Sequence, residues 1–114
     1  MCSEQTVKRP SLCIEWVSSG NMNYARYLHT ASVLANGKVL ITGGYNTASL
    51  NSAELYDSSA ATWITTASMN FPRRAHTASV LTNGKVLVSG GYITSSNFTN
   101  SAELYDPSTE VWTT

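Results

Sequence analysis

The ten residues NGKVLITGGY, at positions 36–45, return almost unchanged as NGKVLVSGGY at positions 83–92. The two copies lie 47 residues apart in a chain of 114. When both are extended by seven residues toward the N-terminus, 14 of the 17 aligned positions are identical. So long a recurrence in so short a chain indicates a structural unit that is built twice.

Three tryptophans fix the register of this repeat. Trp16 and Trp63 are 47 residues apart, and Trp63 and Trp112 are 49 residues apart. The heptapeptide NSAELYD is identical at 51–57 and 100–106. The two extra residues of the second copy fall just before its NSAELYD, so we expect an exposed loop there.

Each unit has the pattern of four short antiparallel strands and no helix. In the first unit HTASVLA runs into Asn36-Gly37, which predicts a type I′ turn, and KVLIT then forms the next strand. This second run is apolar almost throughout, as in a strand buried on both faces, and Gly43-Gly44 ends it. The runs SAELYD and TWITTA supply the third and fourth strands.

A four-stranded sheet cannot bury both of its faces alone, whereas radial repetition covers each face with the next copy. The repeat therefore predicts two adjacent blades of a propeller. The expected packing positions are Val33, Leu34, Val39, Leu40, Ile41, Leu55, Tyr56 and Trp63 in the first blade, and Val80, Leu81, Val86, Leu87, Val88, Leu104, Tyr105 and Trp112 in the second.

The chain resembles kelch repeats. The residues that carry this resemblance are a Gly-Gly doublet after an apolar strand, then a Tyr and then a Trp, and they are Gly43, Gly44, Tyr56 and Trp63, and again Gly90, Gly91, Tyr105 and Trp112. The repeated sequence is also similar to that of a Gly-rich, often extracellular branch of the kelch superfamily. This branch includes the propeller of galactose-oxidase-like enzymes. The resemblance implies an all-β, incomplete β-propeller of two four-stranded antiparallel kelch blades, with an outer strand of a preceding blade.

The resulting domain division has four parts. Residues 1–11 form an N-terminal tail, 12–26 a partial blade with an outer strand and a connection, 27–66 kelch blade 1 and 67–114 kelch blade 2. Because propellers close with four to eight blades, we expect a fragment or subunit of a larger propeller, or a chain that associates with itself to complete one.

Function is expected on the loops of one face. The loops 45–50 and 92–99 and the connections 22–28 and 69–75 emerge together when strands alternate in direction. This face has the Arg and aromatic residues that are typical of binding hot spots. The residues expected to bind a protein partner are Arg26, Tyr45, Phe71, Arg73, Arg74, Tyr92 and Phe98.

Part of that set has a second interpretation. Arg26 and Arg73 are equivalent, as are Tyr45 and Tyr92, so each pair is also consistent with blade packing or loop hydrogen bonds. Arg74 aligns with a tyrosine, and Phe98 lies in the inserted loop. These two residues, which lack a counterpart, are therefore the stronger candidates for a partner contact.

The repeated titratable residues favour structural roles. His29 and His76 have no nearby carboxylate or Cys with which to form a metal site, so structural hydrogen bonding is expected of them. The carboxylates of Glu54 and Asp57 recur at identical spacing in the second copy, which favours hydrogen bonds in turns and beside the Trp over acid–base work. No G-x-S-x-G elbow and no phosphate-binding Gly motif occurs.

We therefore expect no enzyme activity, no metal and no cofactor. The oxidase resemblance implies a copper held by Tyr, His and a modified Cys, but Cys2 and Cys13 lie outside the blade loops. Whether these two cysteines pair stays open. Two alternatives to a protein-binding module also stay open: the non-catalytic blades of a galactose-oxidase-like enzyme, and a structural spacer of a surface protein.

Composition restricts the range of partners. Seven basic residues balance seven acidic residues, so no net charge attracts nucleic acid. No apolar run approaches the roughly 20 residues that cross a bilayer, and the N-terminus lacks the apolar core of a signal peptide. The family resemblance slightly favours an extracellular setting, which the sequon at 97–99 supports weakly.

Overall fold

The computed structural model describes residues 18–114, and these form strands, turns and loops. The tail 1–11, the outer strand expected around Trp16 and the pairing of Cys2 with Cys13 lie outside the described residues. Residues 18–26, the described part of the partial blade, contain no strand. No helix with the length and apolar character needed to cross a membrane occurs within 18–114.

Blade 1 confirms the four strands that the first copy of the repeat predicts. Its elements in chain order are β1 (Thr30–Val33), β2 (Val39–Thr42), β3 (Tyr45–Asn46), β4 (Ala48–Ser49), β5 (Ala53–Asp57) and β6 (Thr62–Thr66). The main sheet has the order β1-β2-β5-β6 and is antiparallel throughout. The loop between β2 and β5 folds into a small ribbon of β3 and β4, which the sequence did not predict.

Blade 2 repeats this plan. Its elements are β7 (Thr77–Val80), β8 (Val86–Ser89), β9 (Tyr92–Thr94), β10 (Asn97–Phe98), β11 (Ala102–Asp106) and β12 (Val111–Thr113). The main sheet has the order β7-β8-β11-β12, again antiparallel, and the inserted loop forms the ribbon β9–β10. Two four-stranded antiparallel sheets are therefore confirmed.

The turns between the first two strands of each blade differ from the prediction. Gly37 has φ of 87°, but Asn36 is not among the residues with positive φ, so the type I′ turn is wrong. Instead Gly37 N–H donates to Leu34 O at 2.9 Å, and Asn36 Oδ1 accepts from Lys38 N–H at 2.9 Å. A type I turn followed by a left-handed glycine gives the same chain reversal with one more residue in the loop.

The two blades pack face to face, with β1 and β7 in contact. Because register partners point to the same side of a sheet, β2 and β5 present Leu40 and Leu55 on one face of blade 1. They join one core with Val86 and Tyr105, which lie on the facing side of blade 2. We call this contact the blade interface; its core residues are Leu34, Leu40, Ala53, Leu55, Met69, Val86, Val88, Tyr105 and Trp112.

Two of the predicted packing residues are exposed. Val33 is 67% exposed and Val80 is 42% exposed. Each ends the first strand of its blade beside the Gly-containing turn, where the other described residues leave the side chain accessible. The expectation that they pack in the blade core is therefore wrong.

The side of blade 2 that points away from blade 1 is less covered than its counterpart. Leu87 and Leu104 on this side are half-buried, whereas the equivalent Leu40 and Leu55 are buried in the blade interface. We call this side the open face; it consists of Thr77, Ser79, Leu87, Ser89, Ala102 and Leu104.

Candidate functional site

The connection that leads into each blade is held by a buried ion pair. Arg73 Nη2 lies 3.1 Å from Glu103 Oε2, and the exposed fraction of both side chains is 0%. The guanidinium also donates to Gly90 O at 2.9 Å and to Ser101 O at 3.0 Å. Glu103 in turn accepts from the backbone N–H of Asn70 at 2.7 Å. Charged groups at this depth are stable only when paired and hydrogen-bonded, as here.

Blade 1 repeats the arrangement with Arg26 and Glu54, whose side-chain nitrogen and oxygen lie 2.9 Å apart. Arg26 and Arg73 are buried and bonded within the chain, which contradicts the expected partner contact and agrees with their second interpretation, loop hydrogen bonds. The turn and Trp-side role expected of Glu54 and Glu103 is also wrong, since their carboxylates hold the connections.

The aspartates do cap turns. Asp57 Oδ1 accepts from the N–H of Ser59 at 3.0 Å and from its hydroxyl. Asp106 makes the same two bonds to Ser108. These hydrogen bonds stabilise the ionised form and lower the pKa of each carboxyl group.

The repeated Tyr and Trp connect the two blades. The Tyr105 and Trp112 ring centroids are 4.9 Å apart. Tyr105 Oη lies 2.8 Å from Thr66 Oγ1, and Trp112 Nε1 donates to Ala67 O at 2.9 Å. Both bonds end on residues at or just after the outermost strand of blade 1.

The Gly doublets make room for the incoming connections. A Cβ on Gly44 would lie 2.7 Å from Tyr27 O, and one on Gly91 would lie 2.6 Å from Arg74 O. Both positions also have positive φ, at 104° and 96°. The second glycine of each doublet therefore lets the connection approach the sheet closely.

His76 joins the two blades through hydrogen bonds. Its Nε2 lies 3.0 Å from the hydroxyl oxygens of Thr30 and Thr42 in blade 1. Burial, and then the nearby Arg73 and His29, lower its pKa to about 4. The ring is therefore neutral near pH 7, with Nε2 engaged by two hydroxyls, which does not fit a copper ligand. Within residues 18–114 no three His, Cys, Asp or Glu side chains come together as metal ligands.

A groove of about 560 Å³ opens where the loops of the two blades meet. We call it the tyrosine groove; it is lined by Tyr27, Leu28, Tyr45, Arg74, Ala75, Tyr92 and Ser95. Its walls are fixed by backbone bonds. Tyr45 N–H donates to Tyr27 O at 2.7 Å, and Arg74 N–H donates to Tyr92 O at 3.0 Å. Connections and loops thus emerge on the same face, as the strand pattern predicted.

Arg74 lines this groove and stacks on one of its tyrosines. Its guanidinium carbon is 4.4 Å from the centroid of the Tyr45 ring. Tyr27 contacts the same ring edge-on, at 5.5 Å between centroids. Among residues 18–114 the Arg74 side chain has no ion pair and no hydrogen bond, and no acidic residue lines the groove.

The groove brings together three of the predicted partner-binding residues, Tyr45, Arg74 and Tyr92. Phe98 packs on Tyr92 at 4.8 Å between centroids and stays 70% exposed, but it does not line the groove. Phe71 is exposed on the connection, where its N–H donates to Glu103, and it lies outside the groove lining.

Sequence reasoning missed Tyr27 and Leu28 as groove residues. A signal was present, because Tyr27 occupies the position equivalent to Arg74. Equivalent positions in adjacent blades lie side by side on the rim of a propeller, so the two residues flank one groove.

The kelch motif matches residues 26–70 and 73–114. Among solved structures, the chain is similar to a fungal alcohol oxidase of the AA5 family in complex with copper, with a TM-score of 0.67 and 24% identity. That alignment covers 79% of this chain but 18% of the oxidase chain, so this chain spans less than a fifth of that structure. No curated protein matches. The likeness to the oxidase shows the fold alone, whereas the motif matches cover most of the chain, which therefore belongs to the kelch-repeat family.

Proposed function

We propose that the chain is a protein-binding module and that its tyrosine groove takes a segment of a partner protein. Arg74 is the observation that carries this proposal. It is a cation without an ion pair among the described residues, and it lies in an aromatic groove that has no acidic side chain. The partner segment that fits carries a carboxylate beside an apolar side chain.

The stacking of Arg74 on Tyr45 supports a carboxylate ligand. When a guanidinium stacks on an aromatic ring, the contact occupies only the face of its plane. The N–H donors at its edge stay available for a planar acceptor that binds in a bidentate way, such as a carboxylate. The neighbouring Arg73 shows the opposite situation, since two of its nitrogens already donate to Glu103, Gly90 and Ser101. Two adjacent arginines thus divide into a structural residue and a binding residue.

The rigidity of the groove supports binding with a low ordering cost. Its tyrosines are held by paired backbone hydrogen bonds, and both loops fold into short ribbons. Leu28 and Ala75 adopt left-handed φ of 59° and 53°, and Ala75 N–H donates to Leu28 O at 2.8 Å. Such conformations of non-glycine residues are unfavourable and cluster at functional sites.

The test begins with selection from a peptide library displayed on phage, followed by fluorescence anisotropy with the enriched peptides. We expect peptides that contain Asp or Glu next to an apolar residue. Arg74→Ala should weaken their binding at least tenfold, since charge-assisted bonds contribute about 1.5–3 kcal/mol. Arg74→Lys should weaken it less, because the charge stays while the planar fork is lost.

Lys85→Ala is the matched control, because it removes one positive charge from the turn between β7 and β8, away from the groove. It should leave the affinity unchanged. Equal binding by the wild type and Arg74→Ala, or a selection that enriches no acidic peptide, would contradict the proposal. The structural-spacer alternative makes that second prediction.

The oxidase-like alternative has the support of the fold likeness to the fungal alcohol oxidase. In that case the two blades would act as a scaffold and the tyrosine groove would bind no protein. Titration of the chain with Cu²⁺ in a calorimeter separates the two functions. One copper bound per chain would favour the oxidase-like function over the binding module.

A further inference from the structure

The open face of blade 2 repeats the surface that blade 1 presents in the blade interface. Thr77 and Ser89 are equivalent to Thr30 and Thr42, whose hydroxyls bind His76. Thr77 and Ser89 bind each other at 3.2 Å, as Thr30 and Thr42 do at 2.8 Å, but within residues 18–114 no imidazole lies against the second pair. The other equivalent pairs are Ser79 with Ser32, Leu87 with Leu40, Ala102 with Ala53 and Leu104 with Leu55.

The side of blade 1 that points away from blade 2 resembles the side of blade 2 that packs against blade 1. We call this side of blade 1 the leading face. Residues on the equivalent side of blade 2 pack against blade 1. Both sides share apolar, aromatic and imidazole groups at the same positions. The leading face consists of His29, Ala31, Val39, Ile41, Tyr56 and Trp63, which correspond to His76, Ala78, Val86, Val88, Tyr105 and Trp112.

The surroundings of the first glycine of each doublet differ between the covered blade 1 and the uncovered blade 2. A Cβ on Gly43 would clash with Arg73 O and lie 2.9 Å from His76 Cε1, because the following connection lies against it. A Cβ on Gly90 would meet nothing closer than Thr99 O of its own blade, at 3.7 Å. Gly90 thus leaves space for a connection that residues 18–114 do not supply.

Backbone groups show the same complementarity. In the blade interface Gly44 N–H donates to Arg73 O at 2.9 Å, and Arg73 N–H donates to Leu50 O at 3.1 Å. The equivalent groups on blade 2 are Gly91 N–H and Thr99 O. Within the described part of the chain neither has the corresponding bond to a following connection.

We propose that a second copy of this chain docks its leading face and its connection 22–28 on the open face of blade 2. His29 of that copy then lies against Thr77 and Ser89, as His76 lies against Thr30 and Thr42. The contact is head-to-tail, because the leading face of one copy meets the open face of the next. Such a contact forms a ring when the rotation from each copy to the next adds up to a full turn. Propellers of four to eight blades correspond to two to four copies.

Two substitutions on exposed residues block one half of the contact each. Ser79→Arg places a long cation on the open face, and its counterpart Ser32 is buried in the blade interface. Ala31→Arg does the same on the leading face, where its counterpart Ala78 packs against the core. Because Ser79 and Ala31 are exposed within the chain, both variants should fold, which circular dichroism and thermal unfolding check.

Sedimentation equilibrium gives the masses. The wild type should have two to four times the chain mass of 12.3 kDa, and each variant alone should sediment as a monomer. An equimolar mixture should form a dimer, because each variant keeps the half that the other has lost. Ser58→Arg, in the exposed turn after β5, is the control and should keep the wild-type mass.

Three outcomes would overturn the proposal: a wild type that stays monomeric at every concentration, variants that keep the wild-type mass, or a mixture that stays monomeric. None of these depends on the tyrosine groove. The result therefore separates self-association from partner binding.

Discussion

The side of blade 1 that lies in the blade interface and the open face of blade 2 have nearly the same residues, yet the first is buried and the second is accessible. Leu40 is 1% exposed, whereas its equivalent Leu87 is half-buried. Ala53 is fully buried, whereas Ala102 is exposed. The burial of a repeated residue therefore depends on the neighbouring blade. In repeat proteins, stability accordingly divides into terms within a unit and terms between units.

The largest expected effect comes from breaking the ion pair that fixes the connection between the blades. Arg73→Met leaves the Glu103 carboxylate buried without its cation, at a cost of about 3–5 kcal/mol in the free energy of unfolding. Urea denaturation followed by tryptophan fluorescence measures the loss. Arg74→Met is the control, since this half-buried side chain has no ion pair in the described residues, and we expect a loss below about 1 kcal/mol. Equal losses in the two variants would contradict the structural role of Arg73.

The glycine doublets allow a direct comparison of a covered and an uncovered site. Gly43→Ala and Gly90→Ala both place a side chain at positive φ, of 62° and 70°. Only at Gly43 does the new Cβ also meet the next connection, so we expect about 3 kcal/mol of destabilisation there and about 1 kcal/mol at Gly90. Thermal and urea unfolding give both values. If Gly90→Ala proves as costly as Gly43→Ala in the monomeric Ser79→Arg background, the account of the open face is wrong.

His76 gives the blade interface a dependence on pH. Its pKa of about 4 in the folded chain lies below the ordinary value of 6.5 for a free histidine. Between these values the unfolded chain binds more protons, so the free energy of unfolding falls as the pH is lowered from 6.5 to 4. We expect His76→Gln to reduce this loss by about 2 kcal/mol.

Urea unfolding at a series of pH values measures the effect. His29, whose pKa is also lowered by burial and by Arg26, contributes in the same window. The difference between wild type and His76→Gln is therefore the informative quantity. The carboxyl groups of Asp57 and Asp106 have lowered pKa values and titrate below this window. An identical pH profile in wild type and variant would show that His76 does not bridge the blades.

Local sequence patterns were sufficient to predict the blades. The Asn-Gly turns, the apolar second strands and the repeated NSAELYD determine where the chain reverses, and these are short-range properties. The turn type was wrong because Asn36 can use its side chain to accept from Lys38 N–H instead of adopting positive φ. The choice between these conformations depends on a single hydrogen bond, which cannot be read from the amino-acid sequence.

The division of roles among the arginines was predicted only in part, because the repeat distinguished Arg74 from the equivalent pair Arg26 and Arg73 but did not show their contacts. Arg26 and Arg73 can be buried because they pair with Glu54 and Glu103. Each glutamate lies about 30 residues later in the chain, and only the folded blade brings the partners together. Arg74, next to Arg73, points to the other side of the connection and reaches Tyr45. Sequence could indicate that Arg74 lacked a counterpart, but not that it would stack on a ring of the preceding blade.

The central claim is that the two repeated units pack face to face as blades, and a double-mutant cycle across the blade interface tests it most directly. Tyr105 Oη and Thr66 Oγ1 belong to different blades and lie 2.8 Å apart. Tyr105→Phe and Thr66→Val, alone and combined, should show a coupling of about 1 kcal/mol in the free energy of unfolding. Losses that simply add, with no coupling, would contradict the packing of blade 2 on blade 1.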